Sequence, residues 1–327
     1  MKTDPLIKDS NVNTFDWKLQ PEVDRMVRQW IDDFCASCDF VNTLRDRMLA
    51  ETGTRLIDWI DHLAFSGSTQ LSNGQSFETQ LVELGYALDT EDEDGRWFTH
   101  AGGLFRPICI SPGRTRRLVL SVDAVDDFLA AHRIEGVEIE GAPCSEMRRA
   151  KVLTVEDCEF WVCERHGYGV WSVPASSRDR STAAGQHFES FKLRPRTFEN
   201  DIDGFEFAQG LICKAIEDLG VDWTCDLFFA AEREYWQRRN RAARVQKDRQ
   251  DQLGLGWANH DHHTYRCSRT SFKSLIEVFE VLGFHSRERF YAGEEAGWGA
   301  QVLEQSATGI VIFADVDMTP AELEGNF

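Results

Sequence analysis

The hydrophobic positions between residues 15 and 50 recur at three- and four-residue spacing, which predicts amphipathic helices. They are Val23, Met26, Val27, Trp30, Ile31 and Phe34, followed by Phe40, Val41, Leu44 and Met48. Residues 205–250 show a second helical pattern, whereas residues 176–186 are polar and predict a loop. We therefore expect N-terminal helices over residues 1–54 and a mixed, largely helical insertion over residues 123–253.

Two other segments combine a strand, a helix and further strands in the same order. In the first, a strand-like run over residues 55–65 precedes a helix over 77–84, and strand-like stretches follow around 86–88, 96–100, 104–111 and 117–121. In the second, a strand over residues 261–267 precedes a helix over 272–282, and strands follow over 287–291, 300–303 and 310–314. The segments predict two related modules, at residues 55–122 and 254–327.

The two modules also share short sequence signals at equivalent places. Asp61-His62 opens the first and Asp261-His262 opens the second, and each pair lies in the first strand of its module. The helix that follows ends in Leu84-Gly85-Tyr86 or in Leu282-Gly283-Phe284, where glycine suits a helix C-terminus. This internal repeat predicts an α+β fold in which the modules pair and the two histidine-bearing strands are neighbours.

Charge and composition narrow the class of protein. The chain of 327 residues has 36 Lys plus Arg against 55 Asp plus Glu, a net charge of −19, which disfavours general binding to nucleic acid or anionic membranes. Its 42% of hydrophobic residues suffice for a sizeable core. It shows neither a run of apolar residues long enough to span a bilayer nor an N-terminal apolar signal segment, and its nine cysteines have no framework spacing. We expect a cytoplasmic protein.

The repeated histidines suggest metal chemistry. Two neutral imidazoles and one carboxylate can form a facial triad that leaves positions open for substrate and oxygen, which suits Fe(II), and zinc accepts the same ligands. Side chains alternate along a strand, so His262 and His263 point to opposite faces, and only one of them can enter the same cleft as His62. A single histidine in a strand is more often structural than a metal ligand. Because the histidine recurs at matching positions of the two modules, the two interpretations carry equal weight here.

The same segments resemble a known family. Residues 61–65, 84–86 and 105–111, together with Asp261-His-His-Thr264 and Leu303-Glu-Gln-Ser-Ala-Thr308, are similar to motifs of the 2-oxoadipate dioxygenase/decarboxylase (2-hydroxyglutarate synthase) family. That family has the vicinal oxygen chelate fold, built from paired βαβββ modules. The resemblance covers less than half of the chain. It implies a mononuclear iron site with His62 and His262 as ligands.

The resemblance also implies a glutamate ligand near the end of the second module. Glu324, in the segment Pro320–Phe327, occupies that place, with Glu322 beside it and Glu304 as the alternative. We expect alanine at His262 or Glu324 to abolish metal retention and alanine at His263 to leave it largely intact. Alanine at Glu304 should mainly affect stability.

One departure from the family affects the substrate. The family holds the substrate carboxylate with an arginine four residues after its first metal histidine, and here that position is Ser66. A hydroxyl cannot replace the bidentate fork of a guanidinium. Arg266 lies four residues after His262 on the same strand face and is one candidate to supply the charge; Arg106, Arg287 and Arg289 are others. If none of them does so, the substrate is not a dicarboxylic 2-oxo acid.

Three functions remain open at this point. The favoured one is a mononuclear non-haem Fe(II) dioxygenase/decarboxylase that takes a small 2-oxo acid and O2. The second is a lyase or isomerase that uses zinc or another divalent metal without O2. The third is a non-catalytic small-molecule-binding protein of the same fold.

Overall fold

The computed structural model describes residues 18–69, 74–103, 105–175, 178–257, 262–293 and 295–319. Its helices are α1 (Pro21–Ser37), α2 (Asp39–Arg47), α3 (Leu56–Trp59), α4 (Phe77–Glu83), α5 (Val125–Ala131), α6 (Arg178–Leu193), α7 (Asp201–Leu219), α8 (Val221–Gln237), α9 (Arg241–Asp251) and α10 (Phe272–Val281). A short π-helical segment, Met48–Thr52, follows α2.

The described strands form two separate sheets. They are β1 (Ile60–Ser66), β2 (Ala87–Asp92), β3 (Gly95–Thr99), β4 (Ile108–Ser111), β5 (Arg116–Ser121), β6 (Ile139–Glu140), β7 (Met147–Val155), β8 (Cys158–Arg165), β9 (His262–Cys267), β10 (His285–Tyr291), β11 (Trp298–Gln305) and β12 (Ile310–Asp317). The order is β2-β3-β4-β1-β5-β8-β7-β6 in the eight-stranded sheet and β10-β11-β12-β9 in the four-stranded sheet.

Three βαβββ units account for these sheets. In each unit the first strand is parallel to the last: β1 to β4, β5 to β8, and β9 to β12. Each unit has one helix after its first strand, namely α4, α5 or α10. The fold is therefore α+β with βαβββ modules, as the internal repeat and the vicinal oxygen chelate resemblance imply.

The modules that pair are not the two that the sequence indicates. β1 joins β5 in an antiparallel pair with Leu63 opposite Leu118, so the first unit pairs with the unit of residues 116–165. The strands that carry His62 and His262 lie in different sheets, and the expectation that they are neighbours is wrong. The physical reason is that residues 116–165, which the boundary at residue 122 divides, form a complete unit whose first strand occupies the edge of β1.

The ends of the three unit helices share one backbone conformation. Gly85 has a φ of 90° and Gly283 a φ of 84°, and the amide of the next residue, Tyr86 or Phe284, donates to a carbonyl in the last helical turn. In the middle unit Arg133 has a φ of 55°, and the amide of Ile134 donates to Leu129 in the same way. The turn is thus repeated three times, although glycine supplies it only twice.

Helices cover one face of each sheet. In the eight-stranded sheet this face packs against α1, α2, α4 and α5, with Trp30 of α1 in edge contact with Phe65 of β1. The four-stranded sheet packs against α6, α7, α8 and α10 through a second core that includes Phe229 and Ile312. The opposite face of the eight-stranded sheet, which we name the concave face, carries its own cluster of buried residues, including Trp97, Trp161 and Trp171.

Two local expectations differ from the structure. Residues 178–193, expected to begin as a polar loop, form α6. The buried side of this helix consists of Ala184, His187 and Phe191. The run 55–65 begins as the helical turn α3 and becomes extended only at Ile60. None of the described helices is both long enough and apolar enough to span a bilayer.

Candidate functional site

His62 lies on the concave face of the eight-stranded sheet, near its centre. β1 is flanked by β4 and β5, so its side chains are held between strands on both sides. The His62 side chain is 1% exposed, and its ring lies edge-on to Trp97 at 4.8 Å and to Trp171 at 4.5 Å between centroids. The imidazole is therefore enclosed by indole rings rather than by water.

A carboxylate and a guanidinium orient this imidazole. Asp61 Oδ2 lies 2.7 Å from His62 Nδ1, and Arg165 donates to both oxygens of Asp61 at 2.6 and 3.0 Å. Burial alone would raise the pKa of Asp61, but the charge of Arg165 and the hydrogen bonds from His62 and Arg165 hold that pKa well below its ordinary value. Asp61 is therefore ionised and accepts a hydrogen bond from the Nδ1–H group of His62.

The second ring nitrogen of His62 is left with a lone pair. Burial lowers the pKa of His62, and this outweighs the opposing effect of Asp61. Nε2 is buried and has no hydrogen-bond partner among the described residues. A neutral imidazole with Nδ1 protonated offers Nε2 as a proton acceptor or as a metal ligand. The fixed tautomer together with the available lone pair makes this nitrogen a functional candidate.

Trp171 closes the space beside His62. It comes from the segment 166–175 that follows β8, its side chain is 1% exposed, and it also contacts Trp161 at 5.9 Å between ring centroids. Arg165 Nη1 donates to the carbonyls of Tyr168 and Val170 at 2.9 and 2.6 Å, and Arg149 Nη1 donates to that of Trp171 at 3.0 Å. Two arginines of the concave face thus fix the segment that covers the histidine.

The same face carries two further arginines that are not among the candidate site residues predicted from the sequence. Arg117 of β5 and Arg149 of β7 stack on the indoles of Trp161 and Trp171. Arg117 alternates with the buried Leu118 and Leu120, which point to the opposite face of β5. The sequence signal for Arg117 is an arginine that alternates with apolar residues in a strand. This signal points to the site only when β5 is known to begin a unit that pairs with β1.

The second predicted histidine lies elsewhere. His262 is on β9, at the end of the four-stranded sheet, and its side chain is exposed. His263 faces the helical side, where its ring is 4.7 Å from that of Phe229. The predicted alternation along this strand is confirmed. The predicted union of His62 and His262 in one cleft is not what the structure shows, because their strands belong to different sheets.

The other predicted residues are also dispersed. Ser66 shares the face of His62, is 5% exposed, and its hydroxyl lies 2.8 Å from that of Ser68. The Arg266 side chain is 61% exposed and pairs with Asp317. The Glu304 carboxylate lies 3.3 Å from Arg287 Nη1. Glu324, the favoured third ligand, and its neighbour Glu322 lie outside the described residues.

These positions decide how well the described chain fits the implied iron. His62 fits the pattern of a metal ligand, because ligating histidines usually donate their other ring nitrogen to a carboxylate or carbonyl. Within the described residues, however, no group of three His, Cys, Asp or Glu side chains could hold a metal ion. The described part of the chain therefore does not assemble the three side chains of a facial triad at this place.

Comparison with known proteins adds little to this picture. No family model matches the chain, and no curated protein matches it. A glyoxalase/bleomycin resistance protein/dioxygenase superfamily member from Vibrio splendidus 12B01 is similar at 13% identity and a TM-score of 0.22, covering 32% of this chain and 97% of its own. A glyoxalase I variant from Zea mays is similar at 7% identity and a TM-score of 0.23, covering 79% of this chain and 68% of its own. The description of the fold rests on the strand order and register given above.

Proposed function

We propose that the chain is an enzyme of the vicinal oxygen chelate type that acts on a small 2-oxo acid at the concave face of the eight-stranded sheet. The observation that carries this proposal is His62 Nε2, a buried nitrogen that has no hydrogen-bond partner in the part of the chain that the structure describes and whose ring is oriented by Asp61. Leaving such an atom unpaired costs about 1–3 kcal/mol, a cost that a structural histidine would not need to bear.

The chain itself supplies three elements of the chemistry. His62 contacts the reacting centre and accepts or delivers a proton at Nε2. Asp61 keeps the imidazole in one tautomer and stabilises its charge when it becomes protonated, as a carboxylate does for a catalytic histidine. Trp97 and Trp171 exclude water, which strengthens every electrostatic interaction inside the site.

The finer proposal is a mononuclear Fe(II) dioxygenase/decarboxylase that consumes O2. It is supported by the resemblance of residues 61–65, 84–86, 105–111, 261–264 and 303–308 and by the ligand-like state of His62. When bound, the metal would supply activation of O2 and of the chelating 2-oxo acid. The described residues do not bring three such ligands together, so the roles assigned above are those of the chain's own side chains.

A second candidate is a small-carboxylate-binding protein that does not catalyse a reaction. Trp171 favours it, since this side chain fills the space next to His62 and is 1% exposed. On this proposal the pocket would open only for a ligand that displaces the indole, and neither metal nor oxygen would be involved.

Metal content and oxygen uptake separate the candidates. Protein purified anaerobically should be analysed for metal as wild type and as His62→Ala, with His285→Ala, an exposed histidine on β10, as the control. Oxygen consumption should then be followed with a panel of 2-oxo acids. Iron that is lost only in His62→Ala, together with oxygen uptake, supports the dioxygenase.

If a 2-oxo acid is converted without metal or oxygen, and His62→Ala abolishes this turnover, the proposal of an enzyme stands and the proposal of an iron site is rejected. Binding of a 2-oxo acid without turnover would select the second candidate. Wild-type protein that neither binds nor converts any acid of the panel would contradict both.

A further inference from the structure

Arg117 is a guanidinium on the concave face, and two of its nitrogen atoms make no hydrogen bond within the described part of the chain. Its Nε and Nη1 atoms are buried and have no hydrogen-bond partner among the described residues. Arg117 forms two long ion pairs, with Asp94 at 3.8 Å from Nη1 and with Glu159 at 3.7 Å from Nε, and neither is short enough to be a hydrogen bond. The hydrogen-bonding capacity of these two nitrogens is therefore available to an acceptor other than the described residues.

The surroundings of Arg117 define the shape of that acceptor. The guanidinium lies 5.1 Å from the ring centroid of Trp161 and 5.5 Å from that of Trp171, so indole surfaces border the charged group. A planar anion can meet the guanidinium fork edge-on while its flat body packs against the indoles. A carboxylate on a short planar chain has this form, whereas a tetrahedral phosphate does not.

The position of Arg117 relative to His62 fits one small molecule. Arg117 lies opposite Ala64 in the β1–β5 register, and His62 lies opposite Val119, so the two side chains share a face and are diagonal neighbours. Such neighbours are separated by roughly 7–8 Å between their Cα atoms. A 2-oxo acid of three to five carbons held by its carboxylate would place its keto carbon between them.

We propose that Arg117 is the carboxylate anchor of this site and that its ligand is a small planar 2-oxo acid. The inference rests on the proposed function and deepens it, because it assigns the charge that Ser66 cannot supply. It also differs from the sequence-based candidates: Arg266 is exposed and paired with Asp317, and Arg106 donates to the carbonyl of Asp58 at 2.6 Å.

The flanking tryptophans allow a binding measurement that does not depend on turnover. Pyruvate and 2-oxoglutarate should be titrated at millimolar concentration into wild type, Arg117→Gln and Arg117→Lys, with tryptophan fluorescence and calorimetry as readouts. Methyl pyruvate, which lacks the negative charge, serves as the matched probe. Arg116→Gln is the matched control, because Arg116 is the preceding residue of β5 and pairs with Asp157.

We expect Arg117→Gln to weaken binding of the acid by about tenfold or more, the effect of losing a charge-assisted hydrogen bond. Arg117→Lys, which keeps the charge but not the fork, should lie between wild type and Arg117→Gln, and it replaces Arg117→Gln if that variant does not fold. Arg116→Gln should bind like wild type. Methyl pyruvate should bind wild type and both Arg117 variants with the same weak affinity.

Three results would overturn the assignment in distinguishable ways. Wild-type affinity for the acids in both Arg117 variants would refute the anchor and leave the proposed function intact. Equal binding of pyruvate and methyl pyruvate by the wild type would show that no charge is recognised. If wild-type protein bound neither acid, the proposed function would fail together with the anchor.

Discussion

His62 of β1 lies directly opposite Val119 of β5 in the antiparallel pair at the centre of the eight-stranded sheet. The two units that meet there contribute an imidazole from one side and an aliphatic side chain from the other. The centre of the concave face is therefore asymmetric, with the Asp61–His62 pair on the first unit and Arg117 on the second. This asymmetry suits a site in which Arg117 binds the charged end of a small molecule and His62 exchanges a proton with the other end.

The pair of Asp61 and Arg165 should be a major contributor to stability as well as to the orientation of His62. Replacing Asp61 by Asn leaves the guanidinium of Arg165 buried beside a neutral amide, and removal of one partner of a buried ion pair costs about 3–5 kcal/mol. We expect the free energy of unfolding in urea to fall by about this amount. Asp58→Asn, which breaks the exposed pair with Arg55, should cost less than about 1 kcal/mol. Equal effects of the two changes would contradict the special role of the buried pair.

The sequence predicts much of the fold because hydrophobic spacing and turn residues report local structure. The helix ends at Gly85 and Gly283 and the strand alternation at His262 and His263 are visible without coordinates. The middle unit is not visible, since its helix ends in His132-Arg133-Ile134 and the Leu-Gly-aromatic signal is absent. Once that unit was missed, β1 had to be given another neighbour, and the two histidine strands were paired wrongly.

The site could be predicted only where it is local in sequence. The Asp61-His62 pair is found because its members are adjacent along the chain. Arg165 reaches Asp61 from β8, and Trp171 reaches His62 from the segment beyond it, so both depend on the pairing of β5 with β1 and β8. Such long-range contacts follow from the topology and not from any spacing in the sequence.

The missing glycine in the middle unit leads to a prediction about Arg133. A non-glycine residue in the left-handed region costs about 1–2 kcal/mol, and glycine loses about 0.5–1 kcal/mol through its greater freedom in the unfolded chain. The side chain of Arg133 is exposed, so little packing is lost when it is removed. Arg133→Gly should therefore raise the free energy of unfolding by about 0.5–1 kcal/mol. Arg133→Ala should give no gain, and stabilisation by alanine equal to that by glycine would refute the explanation.

His166 should make the stability depend on pH. Burial opposes the charged form of His166, but the hydrogen bond to Asp226, with an Nδ1 to Oδ2 distance of 2.8 Å, and the charge of Asp226 outweigh it and raise the pKa of His166. A raised pKa in the folded state gives stability that is fully present below about pH 6.5 and is lost as the pH rises through the raised pKa. The free energy of unfolding in urea should be measured at about pH 6 and about pH 9 for wild type and Asp226→Asn. The difference between the two proteins should shrink at the higher pH, and a difference that grows would show that the sign is wrong.

Trp171 should control access to His62. Its indole encloses the imidazole together with Trp97, and the lowered pKa of His62, caused mainly by burial, keeps Nε2 neutral and nucleophilic near neutral pH. Diethyl pyrocarbonate modifies neutral imidazoles, so the protonation state of His62 does not prevent its labelling. We expect slow labelling in the wild type because the indoles shield the ring. Trp171→Ala should raise the labelling rate, which is measured by mass spectrometry of the peptide that contains His62. The same change should lower the free energy of unfolding by about 3–5 kcal/mol.

The control for this experiment is Trp236→Ala. Trp236 lies on α8, is 55% exposed and contacts Tyr235 edge-on, so its removal should leave both the labelling of His62 and the stability nearly unchanged. Near-ultraviolet circular dichroism of Trp171→Ala at the labelling temperature separates local opening from unfolding. If folded Trp171→Ala labels no faster than wild type, the segment 166–175 does not guard His62, and a ligand must reach that nitrogen from another side of the sheet.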